Sequence, residues 1–186
     1  NKQVFLFAST KKAQGKTTII QALSFSLALS KKKILIIDTN FCNNDLTMQL
    51  QANPVLERTN VQNEPGAIMD ELEKNATVSS DGYVYVIGSE GGDYTPEEIL
   101  SQQNVLNYLD FLKTKFDYIF LEGPPLNDFS DSKELSQYVE GVIAVFSADI
   151  SLAQIDKQSI DFFKSLGNKF YGAVLNKVEL KSINTA

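Results

Sequence analysis

At 186 residues, with 43% hydrophobic and 22% charged residues, the chain has the length and composition of one compact domain with an ample core. Its formal net charge of −6 excludes a nonspecific grip on nucleic-acid phosphate, although backbone N–H groups can still build a local phosphate site in an acidic protein. Cys42 is the single cysteine, so no internal disulfide can form, and no apolar run approaches the ~20 residues of a membrane span or resembles a secretory signal.

The first residue is Asn1 rather than Met, and Lys2-Gln3 lead at once into an apolar run. We therefore expect residues 1–186 to be one domain cut from a longer protein, in a reducing, cytoplasmic setting. Val4-Phe5-Leu6-Phe7-Ala8 is apolar without alternation and predicts a strand buried on both faces. Thr17 to Leu29 predicts a helix, with Ile20, Leu23 and Leu27 along one face and Lys31-Lys32-Lys33 closing it favourably for its dipole. Ile34-Leu35-Ile36-Ile37 predicts a second buried strand ending at Asp38.

Residues 39–65 are polar, Asn-rich and broken by Pro54 and Pro65, which predicts a loop holding at most a short helix. A short helix is expected from Gly66 to Lys74, a strand from Tyr83 to Ile87, and a glycine-rich loop from Gly88 to Tyr94. Thr95-Pro96-Glu97-Glu98 has the form of a helix start, and the helix it opens carries Ile99, Leu100, Val105, Leu106, Leu109 and Leu112. Strands are expected over Asp117 to Leu121, Val142 to Phe146 and Phe170 to Leu175, with a helix from Ser151 to Leu166. Strands alternating with helices predict an α/β fold with a mostly parallel central sheet and helices on both faces. Ligands of such sheets bind beyond the carboxyl ends of the strands, so loops beginning at Ser9, Asp38, Gly88, Glu122, Ser147 and Asn176 should gather at one edge.

The first of these loops reads Ser9-Thr10-Lys11-Lys12-Ala13-Gln14-Gly15-Lys16-Thr17-Thr18. A phosphate cradle needs backbone N–H groups turned inward, a lysine on the β/γ-phosphates and a hydroxyl for Mg²⁺. Gly15 permits close backbone approach, Lys16 supplies the charge, and Thr17 the metal-directed hydroxyl. Thr10 stands where the usual G-x-x-x-x-G-K-[ST] pattern has its first glycine. A bare Gly-Lys-Thr could be a polar turn. The strand before it, the helix after it and Asp38 at the end of the second strand favour nucleotide binding.

With these pieces placed, the chain resembles the ATPase domain of bacterial tyrosine kinases of capsule and exopolysaccharide export, within the deviant-Walker P-loop superfamily that also holds partitioning and division-site ATPases of the ParA/MinD type. The likeness runs over nearly the whole chain: the phosphate loop, Ile36-Ile37-Asp38-Thr39-Asn40, Pro65-Gly66-Ala67-Ile68-Met69-Asp70-Glu71-Leu72, Gly88 with Pro96-Glu97-Glu98-Ile99-Leu100-Ser101, Phe116 through Glu122-Gly123-Pro124-Pro125, and Val174-Leu175-Asn176-Lys177. The resemblance implies ATP or ADP with Mg²⁺ on Lys11, Lys12, Ala13, Gln14, Gly15, Lys16, Thr17 and Thr18. It also implies a metal held by Thr17, Asp38 and Glu122, Lys16 and Asp38 as catalytic residues, and Asn176 on adenine. Asp38 would act as base for an attacking hydroxyl, and Glu122 would hold a metal-bound water. Lys11 sits where partitioning ATPases carry a lysine that reaches across a dimer; beside Lys12 in a loop it reads as a solvated lysine.

Four departures stand out. Asn40 occupies the place of a usual second aspartate, Cys42 that of an arginine, and Glu122 that of an aspartate, while Lys181 to Ala186 lack the tyrosine cluster of these kinases. Keeping Lys16 and Thr17 beside a neutral Asn40 should spare nucleotide binding more than phosphoryl transfer. The resemblance implies homo-oligomers, a membrane-spanning activator (fused or separate), no nucleic acid, and a place as the cytoplasmic part of an inner-membrane protein. A non-catalytic nucleotide-sensing module and a ParA/MinD-type positioning ATPase are the alternatives.

Overall fold

A computed structural model describes residues 2–58, 65–92, 95–99 and 104–179. In chain order, β1 (Val4–Ser9) leads through the phosphate loop to α1 (Lys16–Leu29), β2 (Ile34–Asp38), α2 (Asp45–Leu50) and α3 (Pro65–Asn75). There follow β3 (Thr77–Val78), β4 (Val84–Ile87), α4 (Pro96–Ile99), α5 (Leu109–Leu112) and β5 (Tyr118–Pro125). The chain then forms α6 (Asp131–Leu135), β6 (Gly141–Ser147), α7 (Lys157–Ser165) and β7 (Phe170–Asn176). The strands make one seven-stranded sheet in the order β3-β4-β2-β5-β1-β6-β7. Every pairing is parallel except β3 with β4, so the expected α/β architecture is the one observed.

The unbroken apolar runs of β1 and β2 are explained by burial on both sides. Leu6, Leu35, Ile37 and Ile119 face one core with Leu72, Leu109 and Phe163, while Phe5, Phe7, Ile34, Ile36 and Phe120 face another with Ile20 and Ala28 of α1. The two-residue period of a strand sorts neighbours into opposite cores. Leu23 and Leu27 of α1 pack against the second core from its partly buried margin.

Several expected elements take a different form. Helix α1 stops at Leu29 with Ser30 as cap, so the three lysines fall beyond its last turn. Lys32 instead pairs with Asp117 at 3.0 Å, and the Lys33 N–H donates to the same carboxylate at 2.8 Å. The helix expected from Thr95 begins as drawn, with the Thr95 N–H donating to Glu98 at 2.8 Å, but does not run through to Leu112. Asn104 has extended backbone (ψ 165°) and its side chain caps a fresh 3₁₀ turn over Val105–Tyr108, so the apolar residues there belong to a second start. Leu100 lies outside the described residues, as do Asp93 and Tyr94 of the glycine-rich loop. The helix expected from Ser151 starts only with a 3₁₀ turn at Gln154–Asp156, where the Asp156 carboxylate accepts the Ala153 N–H at 2.7 Å.

Strand β5 outruns its expected end and carries Glu122 inside the sheet rather than in a loop. Pro124 and Pro125 lack ladder donors, and the register of β1 against β5 shifts between Phe7 and Ser9 to accommodate them. The short antiparallel β3 and the five-residue α6 have no counterpart in the sequence reading.

Candidate nucleotide site

The phosphate loop joins the carboxyl end of β1 to the amino end of α1. Gly15 caps the helix in the left-handed region at φ 92°, and Ala13 also has positive φ, 58°. The N–H groups of Lys16, Thr17 and Thr18 open α1 ahead of its first helical bond, from Ile19 N–H to the Gly15 carbonyl at 3.0 Å. They therefore point outward without intrahelical acceptors, together with the positive end of the helix dipole. Buried Gln14 braces the loop from within: its Oε1 accepts the N–H groups of Thr10 at 3.0 Å and Lys11 at 3.1 Å. Gln14 does not line the cleft described below.

Lys16 is buried, and its Nζ donates to Ser9 Oγ at 3.0 Å. Burial lowers its pKa, while the carboxylates of Glu122, Asp38 and Asp45 oppose that shift without cancelling it. The chain thus holds a buried cation that gains from an incoming anion.

Asp38 and Glu122 are register partners on adjacent strands β2 and β5. Thr17 Oγ1 donates to Glu122 Oε1 at 2.9 Å, and Glu122 Oε2 is buried with no hydrogen-bond partner among the described residues. Burial pushes the Glu122 carboxyl up to about 7, against the pull of Lys16. Asp38 is also raised by burial, to about 6, and is held down by its own hydrogen bonds. Its Oδ2 accepts the Thr47 N–H at 2.9 Å and the Thr47 hydroxyl at 2.5 Å, and its Oδ1 accepts the Asn40 N–H at 3.2 Å. Asp38 therefore serves the first turn of α2 and lies behind the site rather than on its surface.

A cleft of about 230 Å³ opens over the loop. Of the expected residues, Lys12, Ala13, Gly15, Lys16, Thr17, Thr18 and Glu122 line it, and Lys11, Gln14, Asp38 and Asn176 do not. Asn176 instead backs the loop: its Nδ2 donates to the Gln14 carbonyl at 3.3 Å. Lys11 is not the solvated lysine expected. Its Nζ meets the fully buried carboxylate of Asp156 at 2.8 Å and the Ser151 carbonyl at 2.9 Å. Burial pushes Asp156 upward, but hydrogen bonds from Lys11, the Ala153 N–H, Asn127 and Thr10 outweigh it and hold the carboxyl at about 2.

The sequence reading missed Lys177, Phe129, Asn43, Asp45 and Gln49, all of which line the cleft. Lys177, adjacent to Asn176 and in the left-handed region at φ 55°, donates to the Ala13 carbonyl at 3.1 Å. Lys12 stands over the Phe129 ring at 5.8 Å. Only the polar character of residues 39–50 hinted at the α2 wall.

The oxygen set fits a magnesium ion that travels with phosphates. Among the described residues no group of three or more Cys, His, Asp or Glu gathers around a point to form an all-protein metal cage. Thr17 Oγ1 and the unpartnered oxygens of Glu122 and Asn40 are hard donors in one cleft, and Mg²⁺ characteristically takes one or two carboxylates together with phosphate oxygens and waters.

Loop, lysine, hydroxyl and buried acid on a mostly parallel sheet are arranged as in a P-loop-type fold. No protein-family model matches the chain. Among curated proteins it is similar to the tyrosine-protein kinase CpsD of Streptococcus agalactiae, 23% identical over 176 residues, covering 95% of this chain and 75% of that protein. It is also similar to the succinoglycan biosynthesis transport protein ExoP of Rhizobium meliloti, 21% identical over 186 residues, covering 97% of this chain but 23% of that protein. The kinase domain of the Escherichia coli tyrosine kinase ETK superposes with a TM-score of 0.77 at 18% identity, over 100% of this chain and 71% of that one. A chain of the MinC:MinD cell division protein complex of Aquifex aeolicus also superposes, with a TM-score of 0.68 at 19% identity over 97% of this chain and 71% of that one. At these identities the superpositions establish a shared fold. Among the described residues no helix is long and apolar enough to cross a membrane.

Proposed function

We propose that this chain is an ATP- and ADP-binding domain, with Mg²⁺, of the tyrosine kinase or chain-length regulator type that serves exopolysaccharide or lipopolysaccharide biosynthesis. The observation that carries the reading is the buried triad of Lys16, Thr17 and Glu122, in which Glu122 Oε2 has no hydrogen-bond partner among the described residues. When bound, the metal would neutralise phosphate charge, with Thr17 and Glu122 facing it. Lys16 would move from Ser9 to the phosphates, the outward N–H groups of α1 would hold their oxygens, and Phe129 and Lys177 would bound the cleft. The names of two relatives, a tyrosine-protein kinase and a succinoglycan biosynthesis transport protein, support work on an export system, and the proposal extends to a membrane-spanning activator and to homo-oligomers.

A second reading, a nucleotide-sensing module with weak or no turnover, draws support from one observation: both Asp38 oxygens are occupied by Thr47 and Asn40. Base catalysis by Asp38 would require those bonds to open. A ParA/MinD-type role for Lys11 is less well supported, because its ammonium is committed to Asp156.

The test is calorimetric titration of Mg-ATP and Mg-ADP into the protein and into Lys16→Ala. Binding lost in the variant is expected; no binding of either nucleotide to the unsubstituted protein defeats the reading. Turnover abolished by Asp38→Asn would favour the kinase over the sensor.

A further inference from the structure

The cleft has a second acidic wall outside the motifs. Asp45, in the first turn of α2, faces the same space as Lys16, Thr17, Asn40 and Glu122. Its negative charge is felt by both Lys16 and Glu122 across the cleft. Asn43 Nδ2 donates to Asp45 Oδ2 at 2.8 Å and orients the carboxylate, whose other oxygen makes no hydrogen bond among the described residues.

The other acids of the site are poor candidates for a second anionic oxygen. Asp38 is spent on Thr47 and Asn40, and Asn40 is neutral, with a buried Oδ1 that finds no partner among the described residues. Glu122 is desolvated and shared with Thr17. A divalent ion accompanying phosphates in this cleft would be faced by the Glu122 carboxylate, the Thr17 hydroxyl, the Asn40 amide oxygen and, at the exposed rim, Asp45. Mg²⁺ takes one or two carboxylates beside phosphate oxygens and waters, and Asp45 is the exposed carboxylate of this cleft that could be the second.

We propose that Asp45 is a metal-directed residue of this site, supplying the second carboxylate that faces the magnesium of a bound nucleotide. The inference rests on the nucleotide-binding reading above. Because Asp45 faces polyphosphate as well as metal, its charge should oppose nucleotide alone and favour nucleotide with Mg²⁺. A purely structural residue in α2 would affect both alike.

The experiment measures ADP affinity by calorimetry in excess Mg²⁺ and in EDTA, and takes the ratio as the magnesium-linked gain. In Asp45→Asn and Asp45→Ser the gain should fall by about tenfold, the lower end of what losing a partner around a metal site costs. Affinity in EDTA should hold or improve, and Asp45→Glu should recover part of the gain. Asp110→Asn makes the same charge change on α5, where Asp110 pairs with Lys113, and should keep the full gain. A full gain in both Asp45 variants, or an equal loss in Asp110→Asn, overturns the inference while leaving nucleotide binding intact. Absence of ADP binding to the unsubstituted protein in either buffer overturns the underlying reading as well.

Discussion

Asn176 lies so close against Gly15 that a Cβ on residue 15 would stand 2.0 Å from its Nδ2. The last strand of the sheet thus holds the phosphate loop from behind. Gly15→Ala meets two penalties: about 1–2 kcal/mol for a side chain in left-handed backbone and about 1–3 kcal/mol for overpacking. We expect a lower urea midpoint and loss of ADP binding. Adding Asn176→Ala should return the packing part of the stability and leave the backbone part, a split that paired denaturation curves would read directly.

The Lys11–Asp156 pair makes a second prediction. An ordinary surface lysine can be truncated within about ±0.5 kcal/mol. Lys11→Ala leaves a buried carboxylate without its cation and should cost about 2–3 kcal/mol, below the full buried-pair value because the lysine retains some water. Asp156 has its carboxyl at about 2 against an ordinary 3.8, so its contribution is complete above the ordinary value and fades as pH falls toward the lower one. Lys11→Ala should blunt that acid-side loss. Combining it with Asp156→Asn should recover part of the stability; a double variant as unstable as the sum of the singles would argue against a coupled pair.

Glu122 and Asp38 act in the opposite sense. Burial raises them to about 7 and about 6 from ordinary values of 4.5 and 3.8, so the folded state holds more protons than the unfolded one across that window. Stability of the nucleotide-free protein should therefore fall as pH rises from about 4 to about 7. Glu122→Gln, which retains a neutral side chain throughout, should flatten the upper part of the slope. Thermal melts in EDTA across this range check it, and a melting temperature that is flat or rising would contradict the assignment.

Thr47 joins three elements: its hydroxyl donates to Asp38 on β2 and accepts the Ser89 N–H beyond β4. Thr47→Val preserves shape and removes both bonds, at an expected cost of about 2–3 kcal/mol, since one partner is a carboxylate. Thr47→Ser should recover most of it. Equal stabilities for the Val and Ser variants would show that the hydroxyl is dispensable.

Much of the fold was legible because its cause is local. A strand buried on both faces must be continuously apolar, as at residues 4–8 and 34–37, and those strands lie where expected. Gly-Lys-Thr between such a strand and a helix also marks its place, since backbone approach, charge and hydroxyl are all set within a few residues. Elements whose cause is distant were not legible. Two-residue β3 exists only because β4 offers an edge, and β5 runs on through two prolines because the shifted register of β1 admits them.

The same division holds within the site. The sequence by itself determined which residues could carry the chemistry: Lys16, Thr17 and two acids at strand ends, brought to one edge by any parallel sheet. Tertiary structure decided what each acid and lysine is free to do. Asp38 is bound by Thr47, Lys11 is claimed by Asp156, and Asn176 is pressed against Gly15, while Asp45 and Lys177 turn to the cleft. Availability depends on which partners lie within hydrogen-bond reach and how much water remains, and both are set by residues far apart in the chain.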